Sequence, residues 1–410
     1  MPADALKCKE CQTTYPLEAR YVCERCFGPL EVAYSPPTSS PEELKRRIQA
    51  GPHTLWRYAD FLPLEGTARS ALPTGWTPLV RADRLAERLG LGEVWVKNET
   101  ANPTHSFKDR VVSVALARAQ ELGFETIACA STGNLANAVA AHAAAAGLPA
   151  YVLIPADLEE AKILATGAYG ATVVAVKGNY DAVNRLCTEL AGDRADWAFV
   201  NVNVRPYYAE GSKTLGFEVA EQLGWELPDR VVAPVASGSL FTKIARAFEE
   251  WIDCGLLEGE LPKMNGAQAE GCSPVAQAYA AGTAVCRPVK PDTIAKSLAI
   301  GNPADGPYAV ELAQKTGGGV DSVSDDEIRA GIRLLAETTG IFTETAGGVT
   351  TATLAKLAAR GDIDPSERVV LAITGDGLKT IDAVRGTFAV NEIEPNVEAF
   401  DERFLVEAVA

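Results

Sequence analysis

The sequence predicts an α/β protein with parallel-rich sheets wrapped by helices. Short apolar runs of the kind found in buried strands alternate with longer helical patterns, and strands joined by helices in this way pair in parallel and are covered on both faces. The length of 410 residues, 47% of them hydrophobic, is enough for two or three structural units. The predicted strands are Val94–Val96, Thr126–Ala130, Tyr151–Ile154, Thr172–Val176, Ala198–Val202, Val231–Val235, Gly266–Ala269 and Val369–Ile373.

The chain is strongly acidic, with a formal net charge of −16. Such a chain repels nucleic-acid backbones and anionic membrane surfaces, so we expect neither as a partner. The first residues, MPADALKCKECQ, lack the apolar core of a secretory signal, and no segment has the uninterrupted apolar length of a membrane span. We therefore expect a cytoplasmic protein, a compartment in which disulfides are rare.

Residues 1–34 contain two Cys-x-x-Cys pairs, CKEC and CERC, at a spacing typical of a zinc ribbon. The segment is too short to be held by apolar burial alone, so metal binding would supply much of its folding energy. Four thiolates fill a tetrahedral shell, which indicates a structural rather than a catalytic ion. A degenerate ribbon with four free thiols is the alternative. The predicted ligands are Cys8, Cys11, Cys23 and Cys26.

Ligands of open α/β proteins bind at the carboxyl ends of strands, and polar residues follow four of the predicted strands. The first of these loops lies in VWVKNETANPTHSFKDR, residues 94–110, where Lys108 opens a helix. The positive end of the helix dipole disfavours an ammonium there and favours the neutral amine that a Schiff-base lysine needs. Most lysines at helix starts are merely solvated, so this feature alone is weak.

Two further loops have the composition of anion-binding sites. In CASTGN, residues 129–134, hydroxyls and backbone N–H groups precede a helix, although the same residues are also ordinary helix caps. In PVASGSLFTKI, residues 234–244, small residues between a strand and a helix let the backbone approach a phosphate closely. Neither loop has a nucleotide-binding glycine pattern. The residues of the second loop are Ala236, Ser237, Gly238, Ser239 and Leu240.

The fourth loop follows the strand that ends in ITGDGLKT, residues 373–380. Thr374 stands at the strand end, before two glycines that indicate a tight turn. Its hydroxyl would point into the crevice at the carboxyl edge of the sheet. An ordinary turn is the alternative interpretation.

Taken together, these segments resemble the pyridoxal-phosphate enzymes of the tryptophan-synthase-β fold type, fold type II, and within them the threonine synthase family. The resemblance covers roughly residues 55–385, and some threonine synthases also carry an N-terminal ribbon. The motifs that carry it are GWTPLVRA (75–82), VWVKNETANPTHSFKDR (94–110), CASTGN (129–134), GSKTLGFEVAEQLG (211–224), PVASGSLFTKI (234–244), GIFTETAGG (340–348) and ITGDGLKT (373–380).

The resemblance implies pyridoxal 5′-phosphate as the cofactor and assigns four roles. Lys108 would carry the cofactor covalently, and Asn134 would hydrogen-bond its phenolic oxygen. The backbone of residues 236–240 would hold its phosphate, and Thr374 would accompany its pyridine nitrogen. The cofactor would supply the difficult chemistry, and the protein would orient it.

The resemblance also implies a reaction, the conversion of O-phospho-L-homoserine and water to L-threonine and phosphate. Lys108 would make each proton transfer. Ser131 and Thr132 would face the departing phosphate, with Arg205 and Lys213 as cations beside it. A solvated surface lysine is the alternative for Lys213.

Three features depart from the family pattern. His105 stands where NPTGSFKDR has glycine, and Tyr208 stands where NSLNPFRLEGQKT has its phosphate-binding arginine. Arg205, three residues earlier, could replace that arginine. The loop 236–240 also differs from the usual GNGGN. The cofactor assignment is unaffected by these changes, whereas the recognition of a phosphorylated substrate is left open.

Two alternatives therefore remain. One is a paralogous enzyme of the same fold that runs a β-replacement, as a cysteate synthase does, or a threonine or serine dehydration. The other is a catalytically inactive zinc-ribbon binding protein, which the retained lysine, asparagine and threonine disfavour.

We expect four segments along the chain. They are a zinc-ribbon module (1–34), a large cofactor-binding α/β domain (35–110 and 215–388), a small α/β domain (111–214) and an acidic C-terminal tail (389–410). From the family likeness we also expect a homodimer.

Overall fold

The computed structural model describes residues 1–66, 72–131, 133–156, 160–178 and 180–405. In this part of the chain the strands are β1 (Ala3–Cys8), β2 (Thr14–Tyr15), β3 (Leu30–Tyr34), β4 (Leu79–Arg81), β5 (Glu93–Asn98), β6 (Thr126–Ala130), β7 (Ala150–Pro155), β8 (Thr172–Val176), β9 (Trp197–Phe199), β10 (Arg230–Pro234), β11 (Lys263–Ala269), β12 (Gly319–Val323) and β13 (Arg368–Ile373).

Helices connect most of these strands. The α-helices are α1 (Pro41–Ala50), α2 (Asp83–Leu89), α3 (Lys108–Glu121), α4 (Asn134–Ala146), α5 (Glu160–Gly167), α6 (Tyr180–Asp193), α7 (Arg205–Glu210), α8 (Lys213–Gln222), α9 (Ser239–Asp253), α10 (Pro274–Ala280), α11 (Gly306–Lys315), α12 (Asp325–Thr339), α13 (Thr345–Arg360) and α14 (Val397–Phe404). Short 3₁₀ helices occur at Leu55–Phe61, Glu99–Ala101, Lys296–Leu298 and Gly377–Val384. None of the helices in the described ranges is long and apolar enough to cross a lipid bilayer.

The larger sheet has the strand order β12-β11-β10-β13-β5-β4. Its strands pair in parallel except at the edge, where β4 runs antiparallel to β5. Because β5, β10 and β13 are parallel neighbours, the loops after Asn98, Pro234 and Ile373 lie at one edge of this sheet. Three of the four predicted site loops therefore begin at that edge.

The smaller sheet has the order β8-β7-β6-β9, and its strands pair in parallel. All four of its strands lie in the chain between β5 and β10. The predicted α/β class with parallel-rich sheets is confirmed by this arrangement. The proposed domain boundaries at residues 110 and 215 remain a prediction.

Two apolar cores flank these sheets. One packs α8 and α9 against β10, with Trp251 fully buried at its centre. The other combines residues of α3, α4, β6 and β7 with residues of the N-terminal sheet, including Leu6 and Val32. The N-terminal sheet, of order β2-β1-β3, therefore shares a core with the small sheet's helices rather than standing apart. Helix α14, in the tail, has no buried residue.

Candidate functional site

Lys108 is the first residue of α3 and follows the loop that leaves β5. The backbone of this loop is fastened to the end of β13, because the Phe107 N–H donates to the Thr374 carbonyl at 3.0 Å and Ser106 forms an antiparallel bridge with Gly375. Sequence positions more than 260 residues apart are thus joined beside the lysine. The half-buried Lys108 Nζ donates to the Tyr208 Oη at 3.0 Å.

Asn134, the first residue of α4, lies across the same space. Its Nδ2 donates to both carboxylate oxygens of Glu344, at 3.0 Å each, and its Oδ1 accepts from Lys379 Nζ at 2.7 Å. Burial raises the pKa of Glu344, while Asn134, Lys379 and Lys108 act in the opposite direction. Burial also lowers the pKa of Lys379, against the effect of Glu344. Glu344 and Lys379 lie in the motifs 340–348 and 373–380, but neither residue was predicted to belong to the site.

The loop 236–240 leads from β10 into α9. Gly238, the residue before the helix, has φ +99°, and a Cβ built there would lie 2.7 Å from the Asp305 carbonyl oxygen, so only glycine fits. The Asp305 N–H donates to the Ser237 carbonyl at 2.8 Å, which holds the loop from outside. The free N–H groups of the fifteen-residue helix that begins at Ser239 point toward this loop.

Thr374 follows the last residue of β13 and is 3% exposed. Nearby, the Ser106 Oγ is buried and has no hydrogen-bond partner among the described residues. An unpaired buried hydroxyl is costly unless a bound group satisfies it.

These features can be tested against the expected cofactor, which needs an amine, an anion cradle and polar partners for its ring. Lys108 supplies the amine, the α9 N-terminus supplies an anion cradle, and Thr374 supplies a hydroxyl. The Asn134 amide would have to exchange part of its contacts with Glu344 and Lys379 to reach the cofactor. The unsatisfied Ser106 hydroxyl is a further free donor. The residues present therefore fit pyridoxal phosphate.

The predicted substrate residues differ in their surroundings. Ser131 is 8% exposed and lies between the end of β6 and Asn134. Thr132 lies outside the described residues. Arg205, in α7, pairs with Asp305 at 2.9 Å and so lies beside the loop 236–240. Its guanidinium would have to exchange that partner to bind a phosphate.

Lys213 is placed differently from what the sequence suggested. Its ammonium is fully buried and pairs with Glu210 at 2.7 Å and Glu250 at 2.9 Å. A buried ammonium needs oppositely charged partners, and the two carboxylates already balance the charge of Lys213. This geometry argues against a phosphate-binding role and equally against a solvated surface lysine.

Two of the three departures from the family motifs, His105 and Tyr208, lie close to Lys108. His105 has φ +60°, the left-handed region in which glycine is the least strained residue. Tyr208 places its hydroxyl on the lysine amine. The position at which the motif has a phosphate-binding arginine therefore faces the reactive lysine in this chain.

The four N-terminal cysteines form a separate candidate metal centre. All their sulfur atoms lie within 4.8 Å of one another, with Cys8 Sγ 3.4 Å from Cys26 Sγ and Cys11 Sγ 3.6 Å from Cys23 Sγ. Sulfur atoms of a tetrahedral site with Zn–S bonds of about 2.3 Å are about 3.8 Å apart, so the geometry fits zinc. We refer to residues 1–34, which contain this centre, as the ribbon.

The ribbon contacts the helix that carries Tyr208. The Tyr207 hydroxyl donates to the Glu18 carbonyl at 2.9 Å, and the Tyr34 hydroxyl donates to Glu210 at 2.6 Å. Both Tyr207 and Glu210 are fully buried. Helix α7 is thus held between the ribbon on one side and Lys108 on the other.

A second contact joins the ribbon to the loop 236–240. Lys9 lies between the first two cysteines, and its Nζ is 3.8 Å from Oδ1 of Asp305, the residue that pairs with Arg205. Its Nζ also sits 3.2 Å from the centre of the Tyr308 ring, a cation–π contact. The side chains of Lys9 and Asp305 therefore link the metal centre to the anion cradle.

Comparison with known proteins identifies the family of the chain. Residues 71–375 match the family model described as pyridoxal-phosphate dependent enzyme. A threonine synthase of Methanocaldococcus jannaschii is 39% identical over 381 residues, which cover 92% of this chain and 93% of that protein. A threonine synthase of Methanosarcina acetivorans is 39% identical over 377 residues, covering 91% of this chain and 92% of that one.

Solved structures resemble the fold. The processed form of threonine deaminase isoform 2 from Solanum lycopersicum superposes with a TM-score of 0.63 at 22% identity, over 86% of this chain and 96% of that chain. A pyridoxal 5′-phosphate-dependent aspartate racemase superposes with a TM-score of 0.64 at 20% identity, over 86% and 99% of the two chains. At these identities the likeness establishes the fold type alone.

Proposed function

This chain belongs to the pyridoxal-phosphate-dependent enzymes and, within them, to the threonine synthase family, and we propose that it converts O-phospho-L-homoserine and water to L-threonine and phosphate. The observation that supports the proposal is the backbone contact of the Lys108 loop with Thr374, together with the contacts of Asn134 with Glu344 and Lys379 and the start of α9 after β10 of the same sheet. An amine, ring partners and a phosphate site are what this chemistry requires of the protein.

In this proposal Lys108 binds the cofactor covalently and moves the protons of the reaction. Asn134 binds the cofactor's phenolic oxygen, and the Glu344 and Lys379 contacts hold its amide in orientation. The backbone of residues 236–240 binds the cofactor phosphate, and the Thr374 hydroxyl accompanies the pyridine nitrogen without forcing it to stay protonated. When bound, the cofactor supplies the electron sink that makes the hydrogens beside the substrate amino group acidic.

The residues of the chain then act on the substrate in order. The Lys108 amine takes the Cα proton, a Cβ proton leaves, and phosphate departs from Cγ. Water adds at Cβ, and the same amine returns protons to carbon before threonine is released. Ser131, which precedes α4, and Thr132 in the sequence are proposed to face the departing phosphate. Arg205 would supply the cation after releasing its partner Asp305.

One observation favours a second candidate. Lys213 is committed to Glu210 and Glu250, and Arg205 is paired with Asp305, so both predicted phosphate cations already have carboxylate partners. An enzyme of the same family that dehydrates serine or threonine, or replaces a smaller β-substituent, would need no such cation. That reaction would use the same Lys108 and Asn134.

We further propose a homodimer that acts in the cytoplasm, with a large domain (35–110 and 215–388) and a small domain (111–214). The family likeness supports the dimer. None of the nine cysteines, all of which lie in the described part of the chain, forms a disulfide, which fits a reducing compartment. Sedimentation at micromolar concentration would measure the oligomeric state directly.

Product analysis of the purified protein with O-phosphohomoserine tests the function. Equal amounts of threonine and phosphate are expected. A yellow protein that releases neither would move the substrate to serine, threonine or O-phosphoserine, which are assayed next by keto-acid formation. A colourless protein that stays colourless with added pyridoxal phosphate would contradict the enzyme assignment altogether.

A further inference from the structure

Tyr208 is the hydrogen-bond partner of Lys108 in the described part of the chain, with its Oη 3.0 Å from the lysine Nζ. We propose that Tyr208 is a positioning residue that keeps a hydrogen bond to Lys108 and so holds its amine in place during each proton transfer. The inference rests on the proposed function in one respect, that Lys108 is the base of the reaction. It goes beyond that function because it assigns a role to a residue in which this chain departs from its family's motif.

The amine lies beside the hydroxyl end of the tyrosine rather than over its ring. Lys108 Nζ is 5.7 Å from the centre of the Tyr208 ring but 3.0 Å from its oxygen. The Phe107 ring lies 4.5 Å from the same nitrogen. The amine is therefore confined between an apolar ring and one polar atom, and that atom decides where its hydrogens or its lone pair point.

Tertiary contacts fix Tyr208 in this position. Helix α7 has only six residues, too few to be stable by itself. Three of them are anchored, Arg205 to Asp305, Tyr207 to the Glu18 carbonyl, and Glu210 to the Tyr34 hydroxyl. Tyr208 is thus a side chain of a clamped turn, and its hydroxyl can meet the amine without further ordering.

A phenol suits this position because it can either donate or accept a hydrogen bond. When the amine is neutral, the Tyr208 O–H donates to its lone pair. When the amine has taken a proton from carbon, one C–H bond has broken, one N–H bond has formed, and the resulting ammonium donates to the Tyr208 oxygen. The phenol keeps its own proton throughout, so the step balances without another co-reactant.

A carboxylate in the same place would behave differently. Its negative charge would hold the lysine as an ammonium and remove the base. The buried carboxylate of Glu344, which also acts electrostatically on Lys108, is instead engaged by the Asn134 amide. The neutral phenol therefore positions the amine without fixing its protonation state.

Tyr208→Phe removes the hydroxyl and little else, and Tyr279→Phe is the matched control, since the Tyr279 hydroxyl donates to the Gly318 carbonyl away from the crevice. For the holoenzyme of Tyr208→Phe we expect kcat to fall ~10–100-fold while KM changes less than about threefold. The control should keep its kcat. Thermal unfolding of both variants establishes that they are folded.

A second measurement needs no substrate. After the cofactor is removed with hydroxylamine, trace acetylation at neutral pH followed by mass spectrometry measures the reactivity of Lys108. We expect this reactivity to rise at least about threefold in Tyr208→Phe, because the hydrogen bond to the amine is lost, and to be unchanged in Tyr279→Phe. If threonine is not the product of the wild-type protein, this measurement still tests the pair. A Tyr208→Phe protein with both wild-type kcat and wild-type Lys108 labelling would overturn the proposal.

Discussion

The Asn134 amide and the Glu344 carboxylate are joined by two hydrogen bonds of 3.0 Å, which link the first turn of α4 to the start of α13. Glu344 is 4% exposed, and burial raises its pKa. Removing a carboxylate from water is costly, and the partner of this buried carboxylate is the Asn134 amide. We infer that the orientation of this amide is important for the candidate site. The amide hydrogens are directed by Glu344, and its oxygen is directed by Lys379.

Replacement of Glu344 should therefore weaken the binding of the cofactor. Glu344→Ala removes both acceptors of the Asn134 amide, and we expect the affinity for pyridoxal phosphate to fall ~10-fold or more. Glu344→Gln keeps one acceptor and the side-chain volume, so a loss below about threefold is expected. Absorbance titration of the cofactor-free protein measures both. Equal losses in the two variants would show that the carboxylate acts by its charge rather than by holding the amide.

Lys108→Ala should abolish covalent attachment of the cofactor. We expect the yellow absorbance to disappear and turnover to fall by ~10³-fold or more, since both the attachment and the base are lost. Lys379 is the matched control, because burial lowers its pKa and makes it the competing amine in the same crevice. Borohydride reduction followed by peptide mapping should place the label on Lys108 in the wild type and in Lys379→Ala. A label on Lys379 would reverse the assignment.

The ribbon should lose its metal when two of its ligands are replaced. In Cys8→Ser with Cys11→Ser, we expect the zinc content to fall from about one ion per chain to none, because two thiolates do not hold a structural site. Residues 1–34 should become sensitive to proteases, while the cofactor stays bound, since Lys108, Asn134 and the loop 236–240 belong to α3, α4 and the connection from β10 to α9 rather than to the ribbon. Elemental analysis and absorbance measure the two effects, and Cys286→Ser serves as the control. Loss of the cofactor together with the zinc would contradict this separation.

His105 carries a backbone strain that glycine would remove. At φ +60° a side chain costs about 1–2 kcal/mol, and the greater chain entropy of glycine offsets about 0.4–1 kcal/mol of this, so His105→Gly should stabilise the protein by about 0.5–1 kcal/mol. Gly90 has φ +69° with nothing near its missing Cβ, so Gly90→Ala should destabilise by a similar amount for the same reason. Thermal unfolding of both variants checks the pair. A lower unfolding temperature for His105→Gly would mean that the contact of the imidazole Nδ1 with the Thr100 carbonyl, at 3.3 Å, outweighs the backbone strain.

The buried cluster around Arg110 predicts how stability depends on pH. Burial by itself raises the pKa of Glu218, but Arg110 and Lys97 outweigh it and lower the pKa to about 2, from 4.5 for a free carboxyl. A carboxyl with a lowered pKa contributes stability that is complete above pH 4.5 and is lost as the pH falls toward 2. Glu218→Gln should therefore destabilise by about 3–5 kcal/mol at pH 7.

The difference from the wild type should then narrow on acidification, because the wild type loses the same interaction. Denaturant unfolding at several pH values from 7 to 3 measures this difference, with the exposed Glu337→Gln as the control, since its partner Arg333 is also exposed. A difference that stays constant over that range would contradict the lowered pKa.

The strands that sequence reasoning found are those whose side chains are apolar on both faces. Thr126–Ala130 and Thr172–Val176 are observed with the predicted bounds, and the others are found with small shifts. Strand β12 was missed because its sequence, GVDSV, carries polar residues at the edge of the sheet. Strand β9 ends at Phe199 rather than Val202, because the Asn203 side chain accepts the Phe199 N–H.

The residues of the candidate site that could be predicted are those that follow the ends of strands. Lys108, Asn134 and Thr374 follow strands or open helices, positions that a sequence pattern can mark. Glu344 and Lys379 gave no such signal, because their part in the site arises only when two loops 210 and 245 residues from Asn134 fold against it. Lys213 shows the converse, since no pattern distinguishes a lysine facing a crevice from one buried between Glu210 and Glu250.

The contact between the ribbon and α7 has a consequence for synthesis of the chain. Glu18 and Tyr207 are 189 residues apart, and at about 5–20 residues per second the ribosome needs roughly 10–40 s to make the intervening chain. The ribbon therefore emerges long before the surface that covers Leu6 and Val32 exists. A metal ion bound at the four cysteines would give this first segment a folded state of its own during that interval. The metal would thus act earliest, when the rest of the molecule has not yet been made.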